Sequence, residues 1–326
     1  MNDLRSLPRR IAPFAAVILV ALAMAGCSKK VTNVDASYTG PEGQPSADAQ
    51  LIVYPDVPIT VETWRDNAPD GPGSNGLPGP EDVLLGTRQV SIAPGTLYGA
   101  IMDGTPASGY QVLRREANGG YAQLKDYVLS PVVRFLDSQW ELYTFSDPRP
   151  TGFSPPSYLG RGVVSGEVTR TSPLTNPSDL MSSDVAALQY TGSNTPADSN
   201  FTMSWQAVPG AVAYWIQIYQ FNGKDLEEIL QSAQTAPFAF RNVRNFFVGR
   251  VAAPATEYTL GQPGAQVLMR RTLLFGVQYR VRVVAVNERG ELMAFNHGDL
   301  EFIREPGLYS CFRIGATKVT PTRPTP

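Results

Sequence analysis

Two stretches decide how this chain folds: Phe201-Thr-Met-Ser-Trp-Gln-Ala-Val-Pro-Gly-Ala-Val-Ala-Tyr-Trp-Ile-Gln-Ile-Tyr219 and Gly276-Val-Gln-Tyr-Arg-Val-Arg-Val-Val-Ala-Val-Asn-Glu-Arg-Gly290. Both alternate with period two, as half-buried strands do. Phe201, Met203 and Trp205 point one way, and Thr202, Ser204 and Gln206 the other. Pro209-Gly210 turns the chain, after which Tyr214, Ile216 and Ile218 resume the inward face. In the second stretch Tyr279, Val281, Val283 and Ala285 share a face, with Arg280 and Arg282 opposite.

Trp205, Pro209-Gly210-Ala211, Tyr214 and the run from Tyr279 through Ala285 and Asn287 to Gly290 resemble strands B, C and F of a fibronectin type III domain. The resemblance covers roughly a third of the chain. It implies an immunoglobulin-like, fibronectin type III-like β-sandwich with Trp205 and Tyr279 in the core between two sheets. It also implies an extracytoplasmic setting and a spacer or binding role rather than catalysis. The expected fold class is mainly β, with this sandwich over 194–315 and a second β-rich domain over 51–147.

The start of the chain speaks to location. Arg5, Arg9 and Arg10 precede an apolar run, Ile11 to Ala25, which ends Met24-Ala25-Gly26-Cys27. A basic region, a short apolar region and small residues before a cut describe a secretory signal, here residues 1–26. Cys27 after Ala25-Gly26 resembles a bacterial lipobox, which implies cleavage before Cys27 and acylation of its thiol. Several acyl chains on one residue anchor a protein durably, whereas one chain binds only marginally. The expected location is a membrane surface facing the periplasm, with inner and outer membrane both open.

Of 27 basic and 29 acidic residues, the signal carries Arg5, Arg9, Arg10 and Asp3, so the mature chain has a net charge of −4. With no basic block, this argues against nucleic-acid binding. A 43% hydrophobic content supports one or two buried cores, and 29 Gly with 28 Pro fits short strands joined by many turns. Cys27 and Cys311 are the only cysteines. With Cys27 lipidated, Cys311 has no partner, and its alternating surroundings (Leu308 to Ile314) make it a buried inert thiol.

Residues 27–50 read as a flexible tether reaching roughly 25 Å. Within 51–147, Leu51–Tyr54, Ile59–Trp64, Val90–Ile92, Tyr110–Arg115, Tyr121–Leu129 and Val132–Phe145 are strand candidates, with Asn118-Gly119 a hairpin turn. Residues 148–193 are Pro-, Ser- and Thr-rich and read as a linker or an extended segment, with a short helix near 180–187. Between strands C and F the chain is longer than the family needs. Asp225–Leu230 starts a helix, and Tyr258–Leu260 and Gln266–Leu274 compete for the strand before Tyr279. Residues 316–326 read as a disordered tail.

A search for chemistry returns little. His297 is the single histidine; no G-x-S-x-G elbow or Ser-x-x-Lys pair accompanies it, and it reads as a turn residue beside Gly298. One histidine and one spare cysteine do not make a zinc site, and there is no P-loop or dinucleotide fingerprint. Asp66, Asp70, Glu81 and Asp82 sit in a Gly/Pro-rich loop whose spacing matches no calcium loop, so a solvated acidic loop is expected. No enzyme activity, cofactor or metal is expected. One stretch stands out as a contact surface: Phe238, Phe240, Phe246 and Phe247 interleave with Arg241, Arg244 and Arg250 in an apparent insertion. Aromatics with arginine are enriched in interface cores and also suit lipid headgroups; the competing reading has the phenylalanines in the sandwich core. The function expected is a lipid-anchored accessory or scaffolding subunit binding a larger membrane protein assembly. The alternative is carbohydrate or cell-wall binding through exposed Trp64, Trp140 or Trp215.

Overall fold

The computed structural model describes residues 37–326 except 39, 47, 57, 68–77, 92–94, 106, 125–127, 149–155, 176–185, 224, 235–242 and 297. The chain is mainly β, and its strand pairs are antiparallel apart from the parallel pair of residues 186–188 with 294–296. In the N-terminal half, β1 (Ser37–Tyr38), β2 (Ala49–Pro55), β3 (Ile59–Arg65), β4 (Val83–Val90), β5 (Thr96–Asp103) and β6 (Gly109–Arg115) come first. β7 (Tyr121–Gln123), β8 (Val133–Arg134), β9 (Glu141–Pro148), β10 (Tyr158–Val164) and β11 (Glu167–Thr171) follow. An outer sheet in the order β1-β7-β6-β10-β11 faces an inner sheet in the order β2-β5-β9-β8. Between them lie Leu51, Val53, Ile101, Tyr110, Tyr143 and Tyr158. Asn118 and Gly119 lie in the β6–β7 turn as expected, with Gly119 at φ +85°.

The C-terminal half contains β12 (Ala186–Leu188), β13 (Thr202–Ser204), β14 (Ala213–Phe221), α1 (Leu226–Gln234), β15 (Val243–Ala252) and β16 (Glu257–Thr259). β17 (Ala265–Arg270), β18 (Tyr279–Val286), β19 (Leu292–Asn296), β20 (Leu300–Glu305), β21 (Leu308–Arg313) and β22 (Thr317–Val319) complete it. β13 and β16 pair as one layer. The central sheet, β12-β19-β18-β14-β15-β17 with β22 also on β18, is the other. Trp205, Tyr214, Ile216, Phe247, Tyr279, Val281 and Val283 fill the space between, the sandwich that the resemblance implied. Tyr279 accepts a hydrogen bond at its hydroxyl from the Leu274 amide (2.8 Å), and Tyr214 does the same for the Val208 amide (2.9 Å). Each aromatic ring therefore pins the loop that precedes its strand. Both candidates for the strand before Tyr279 are strands: β17 directly precedes β18 and ends at Arg270, while β16 lies one strand earlier and pairs with β13. α1 is capped by Asp225, whose carboxylate accepts the Glu228 amide (2.9 Å).

The two halves share a core. The face of the central sheet away from Tyr279 carries Ala213, Trp215, Val248, Leu268, Val284 and Val286, packed on Ile52, Tyr54, Met102, Trp140 and Leu142 of the inner sheet. Trp140 and Trp215 meet edge-on at 5.8 Å, and the Trp215 indole N–H donates to Gln50 (2.5 Å). Burial on both faces explains why β5, β14 and the second half of β18, residues 283–286, are near-continuous apolar runs. At Gly290 (φ +79°) the β18–β19 turn sits so close to β2 that an added Cβ would lie 2.0 Å from the Leu51 carbonyl oxygen.

Each half also lends a hairpin to the other. β3–β4 leaves the inner sheet between β2 and β5. β20–β21 interrupts the last strand position of the central sheet: β19 pairs with Val284–Val286 and β22 with Tyr279–Val281 of the same strand β18. The hairpins join in a four-stranded clasp, β20-β21-β3-β4. Its near end, with Ile59, Val61 and Phe312, packs on Tyr219, Leu230 and Val243. Glu301 of β20, 4% exposed, pairs with Arg280 of β18 through two hydrogen bonds (2.9 and 2.5 Å).

Several expected boundaries move. Residues 37–50, read as tether, are partly laid on the body: Ser37–Tyr38 pair with β7, the Gly43 amide donates to Ser172, and Glu42 pairs with Arg289 (2.8 Å). Within 148–193, read as a linker or an extended segment, Tyr158–Val164 and Glu167–Thr171 are β10 and β11; of the helix expected over 180–187, residues 180–185 lie outside the described residues and 186–187 belong to β12. The tail is held by β22, by the Thr320 amide on Asn194 and by the Thr322 amide on Pro196.

Trp215→Ala removes a ring from the shared core and should cost about 3–5 kcal/mol. Urea unfolding monitored by circular dichroism should show this while remaining a single transition, since both halves lose the same contact. Glu301→Ala leaves Arg280 in a mostly buried site without its partner and should cost about 3 kcal/mol in the same assay.

Candidate interaction surface

The clasp is covered at its near end only. β4 is its edge strand, and Val83 to Gln89 are all exposed. Val83, Leu84 and Leu85 stand 44%, 45% and 46% exposed, three consecutive aliphatic side chains on an unpaired edge. Natural proteins blunt such edges with lysine, proline, short length or a cover. β4 is eight residues long and contains no Lys or Pro. A bulge against β3 at Thr63/Trp64 sets its faces: Leu84 lies opposite Trp64, and Val83 opposite Arg65 and, through it, Leu308. Trp64 is half-buried and its indole N–H donates to Glu62 (3.2 Å). Arg65 and Arg88 are exposed, and among the described residues neither makes an ion pair.

The β3–β4 connection organises the far end through Asp82. Its carboxylate accepts the Gly79 amide (2.7 Å), the Asn67 amide (3.2 Å) and the Tyr309 hydroxyl (2.7 Å). These donors give Asp82 a structural role, fastening the loop to β21. Asp70 lies outside the described residues. Cys311, beside Tyr309 on β21, is 1% exposed, and burial pushes its thiol up to about 11.

Other expected contact residues are placed differently. Phe246 and Phe247 are 4% and 0% exposed and belong to the sandwich core. Simple alternation would expose one of them. A bulge does the opposite: Phe247 pairs with Ile218 and Asn245 with Tyr219, so Phe246 is the extra residue and both rings turn inward. The surrounding residues are therefore β15 of the central sheet rather than a free insertion, and Phe246 and Phe247 are removed from any docking surface. Arg244 is exposed with its guanidinium 5.0 Å above the Phe246 ring, and Arg250 is half-buried within the central sheet, between Trp215 of β14 and Gln266 of β17. Phe238, Phe240, Arg241, Cys27 and His297 lie outside the described residues. Of the tryptophans considered for sugar stacking, Trp140 and Trp215 are 4% and 1% exposed and packed on each other, leaving Trp64 alone accessible. The β4 edge was missed because Val83-Leu84-Leu85 is too short a run to separate from a core strand. The signal was its position directly after the acidic loop.

No protein-family model matches the chain, and no curated protein is similar to it in sequence. Among solved structures it is similar to the crystal structure of chicken CNTN1 FN1-FN3 domains, with a TM-score of 0.20 and 10% identity over 77% of this chain and 95% of that one.

With its thiol protonated at neutral pH and its side chain enclosed, Cys311 should react with iodoacetamide at pH 8 at least a hundredfold more slowly than an unfolded cysteine. Mass spectrometry before and after denaturation in urea checks this.

Proposed function

We propose that the chain is a non-catalytic lipoprotein, anchored through Cys27 on the periplasmic side of a membrane, that docks onto a larger membrane protein assembly through the β4 edge. The observation that carries this reading is the unprotected edge itself. A free ladder of backbone donors and acceptors gives affinity to any added strand, and the flanking side chains give selectivity. Leu84 with Trp64 on one face and Val83 with Leu308 on the other call for apolar residues in the incoming segment. Arg88 and Arg65, without ion pairs among the described residues, call for a carboxylate opposite them. The occupant is thus an extended segment of a periplasm-facing subunit, apolar with at least one acidic side chain. The apolar segment before Cys27 and the absence of basic blocks support the placement of the chain.

The tagged full-length protein, purified from detergent-solubilised native membranes, should bring an integral membrane protein in near-stoichiometric amount, identified by mass spectrometry. Leu84→Lys with Leu85→Lys should reduce that recovery at least tenfold while leaving thermal unfolding within a few degrees. Recovery of the protein alone, or equal recovery with the lysine variant, would overturn the assignment.

A further inference from the structure

At one end of the central sheet, well away from the β4 edge in sequence, the loop between β17 and β18 shows a second exposed apolar feature. Leu274 and Phe275 are 59% and 42% exposed. This loop is held rather than slack. The Leu274 amide donates to the Tyr279 hydroxyl (2.8 Å), the Gly276 amide to the Pro321 carbonyl (2.7 Å), and the Arg271 amide to the Phe246 carbonyl (2.6 Å). The side chain between, Leu273, is buried at 2% in the sandwich core. The fold therefore presents two apolar side chains to solvent on a rigid mount, where an ordinary loop tip carries small polar residues.

Basic groups flank this tip. Arg271 begins the loop and is exposed. Its amide reaches Phe246, over whose ring the exposed Arg244 guanidinium lies at 5.0 Å, so both cations belong to the same end of the sheet. Among the described residues neither Arg244 nor Arg271 makes an ion pair. Apolar tips at the same end of the sheet as two guanidiniums without ion pairs are complementary to the boundary of an anionic bilayer, where acyl chains take the tips and phosphates take the arginines. A flat acidic protein surface would match the arginines but would leave Leu274 and Phe275 in water.

We infer that this corner, Leu274 and Phe275 with Arg244 and Arg271, inserts into the headgroup layer of an anionic phospholipid membrane. The contact is separate from any lipid on Cys27 and from the β4 edge. It adds orientation to anchoring, because a rigid corner touching the bilayer fixes which way the rest of the molecule faces.

The test uses residues 27–326, without the apolar run 11–25, carrying Cys27→Ser and Leu274→Cys and labelled at position 274 with an environment-sensitive fluorophore; Cys311 is enclosed and does not compete. Vesicles are either phosphatidylcholine alone or phosphatidylcholine with one-third phosphatidylglycerol by composition. The expected result is a blue-shifted emission, quenched by a lipid-phase quencher, with the anionic vesicles only. Arg244→Gln with Arg271→Gln should weaken the apparent partitioning into anionic vesicles by about thirtyfold, at about 1 kcal/mol per arginine near the surface. A label at Val164→Cys, on the distant β10–β11 hairpin, should stay in water. No shift at 274, an equal shift at 164, or a shift unchanged by the paired arginine substitutions would overturn the inference.

Discussion

Burial of both faces of the central sheet constrains everything else in this molecule. A sheet covered on one side tolerates polar residues on the other, but here one face holds the sandwich core and the opposite face the core shared with the N-terminal half. Polar groups on the second face must find partners within the protein. Several do so in a band beyond Trp215. Gln217 donates to Asn245 (2.7 Å), Arg282 donates to the Gly315 carbonyl (2.8 Å) and lies 5.2 Å from the Tyr219 ring, and Arg280 holds Glu301. Asn296 accepts the Val283 amide and donates to Val281 and Thr317, tying β18, β19 and β22 together. Apolar packing at one end of the sheet and polar bonding at the other are two answers to the same demand.

That band is where the clasp attaches, so the exposed β4 edge follows from the same constraint. The clasp covers the polar end of the central sheet with Ile59, Val61 and Phe312, and what remains of its length extends past the covered region. β4 is exposed because the clasp is longer than the surface it protects. Asp82 and Tyr309 stiffen the projecting part, and a stiff edge loses less freedom when a strand is added to it. The Leu274–Phe275 tip has a comparable history: Tyr279 is needed for the sandwich, and its hydroxyl also braces the loop that carries the tip.

The sandwich was legible from local pattern because its strands are adjacent in sequence and carry large aromatics at fixed spacing. Trp205, Tyr214 and Tyr279 all occupy the core as expected. Alternation misled where both faces are buried: Arg282 read as solvent-facing is 1% exposed, and Trp215 read as available for sugars is equally buried. Nothing local marks a strand as covered on its second side, because the cover comes from residues distant in sequence: Ile52, Tyr54, Ala100 and Met102 over Trp215, and Gly315 beside Arg282. The bulge at Phe246 likewise inverts a face without a Gly or Pro to announce it. The clasp was illegible for a different reason: β3 pairs with β21 across most of the chain, and short-range patterns contain no information about such pairings.

The split of the last strand position between β19 and β22 has a kinetic meaning. Trp64 meets Tyr309 and Tyr279 meets Val319, so neither the clasp nor the central sheet is complete until residues 308–319 have arrived. Contacts this distant close slowly. Until then β3 keeps Ile59 and Val61 without their Phe312 cover, and any incomplete chain carries an open apolar strand. The molecule is therefore most exposed to aggregation or proteolysis just before its final residues are delivered, and a holding chaperone would act on the β3–β4 hairpin.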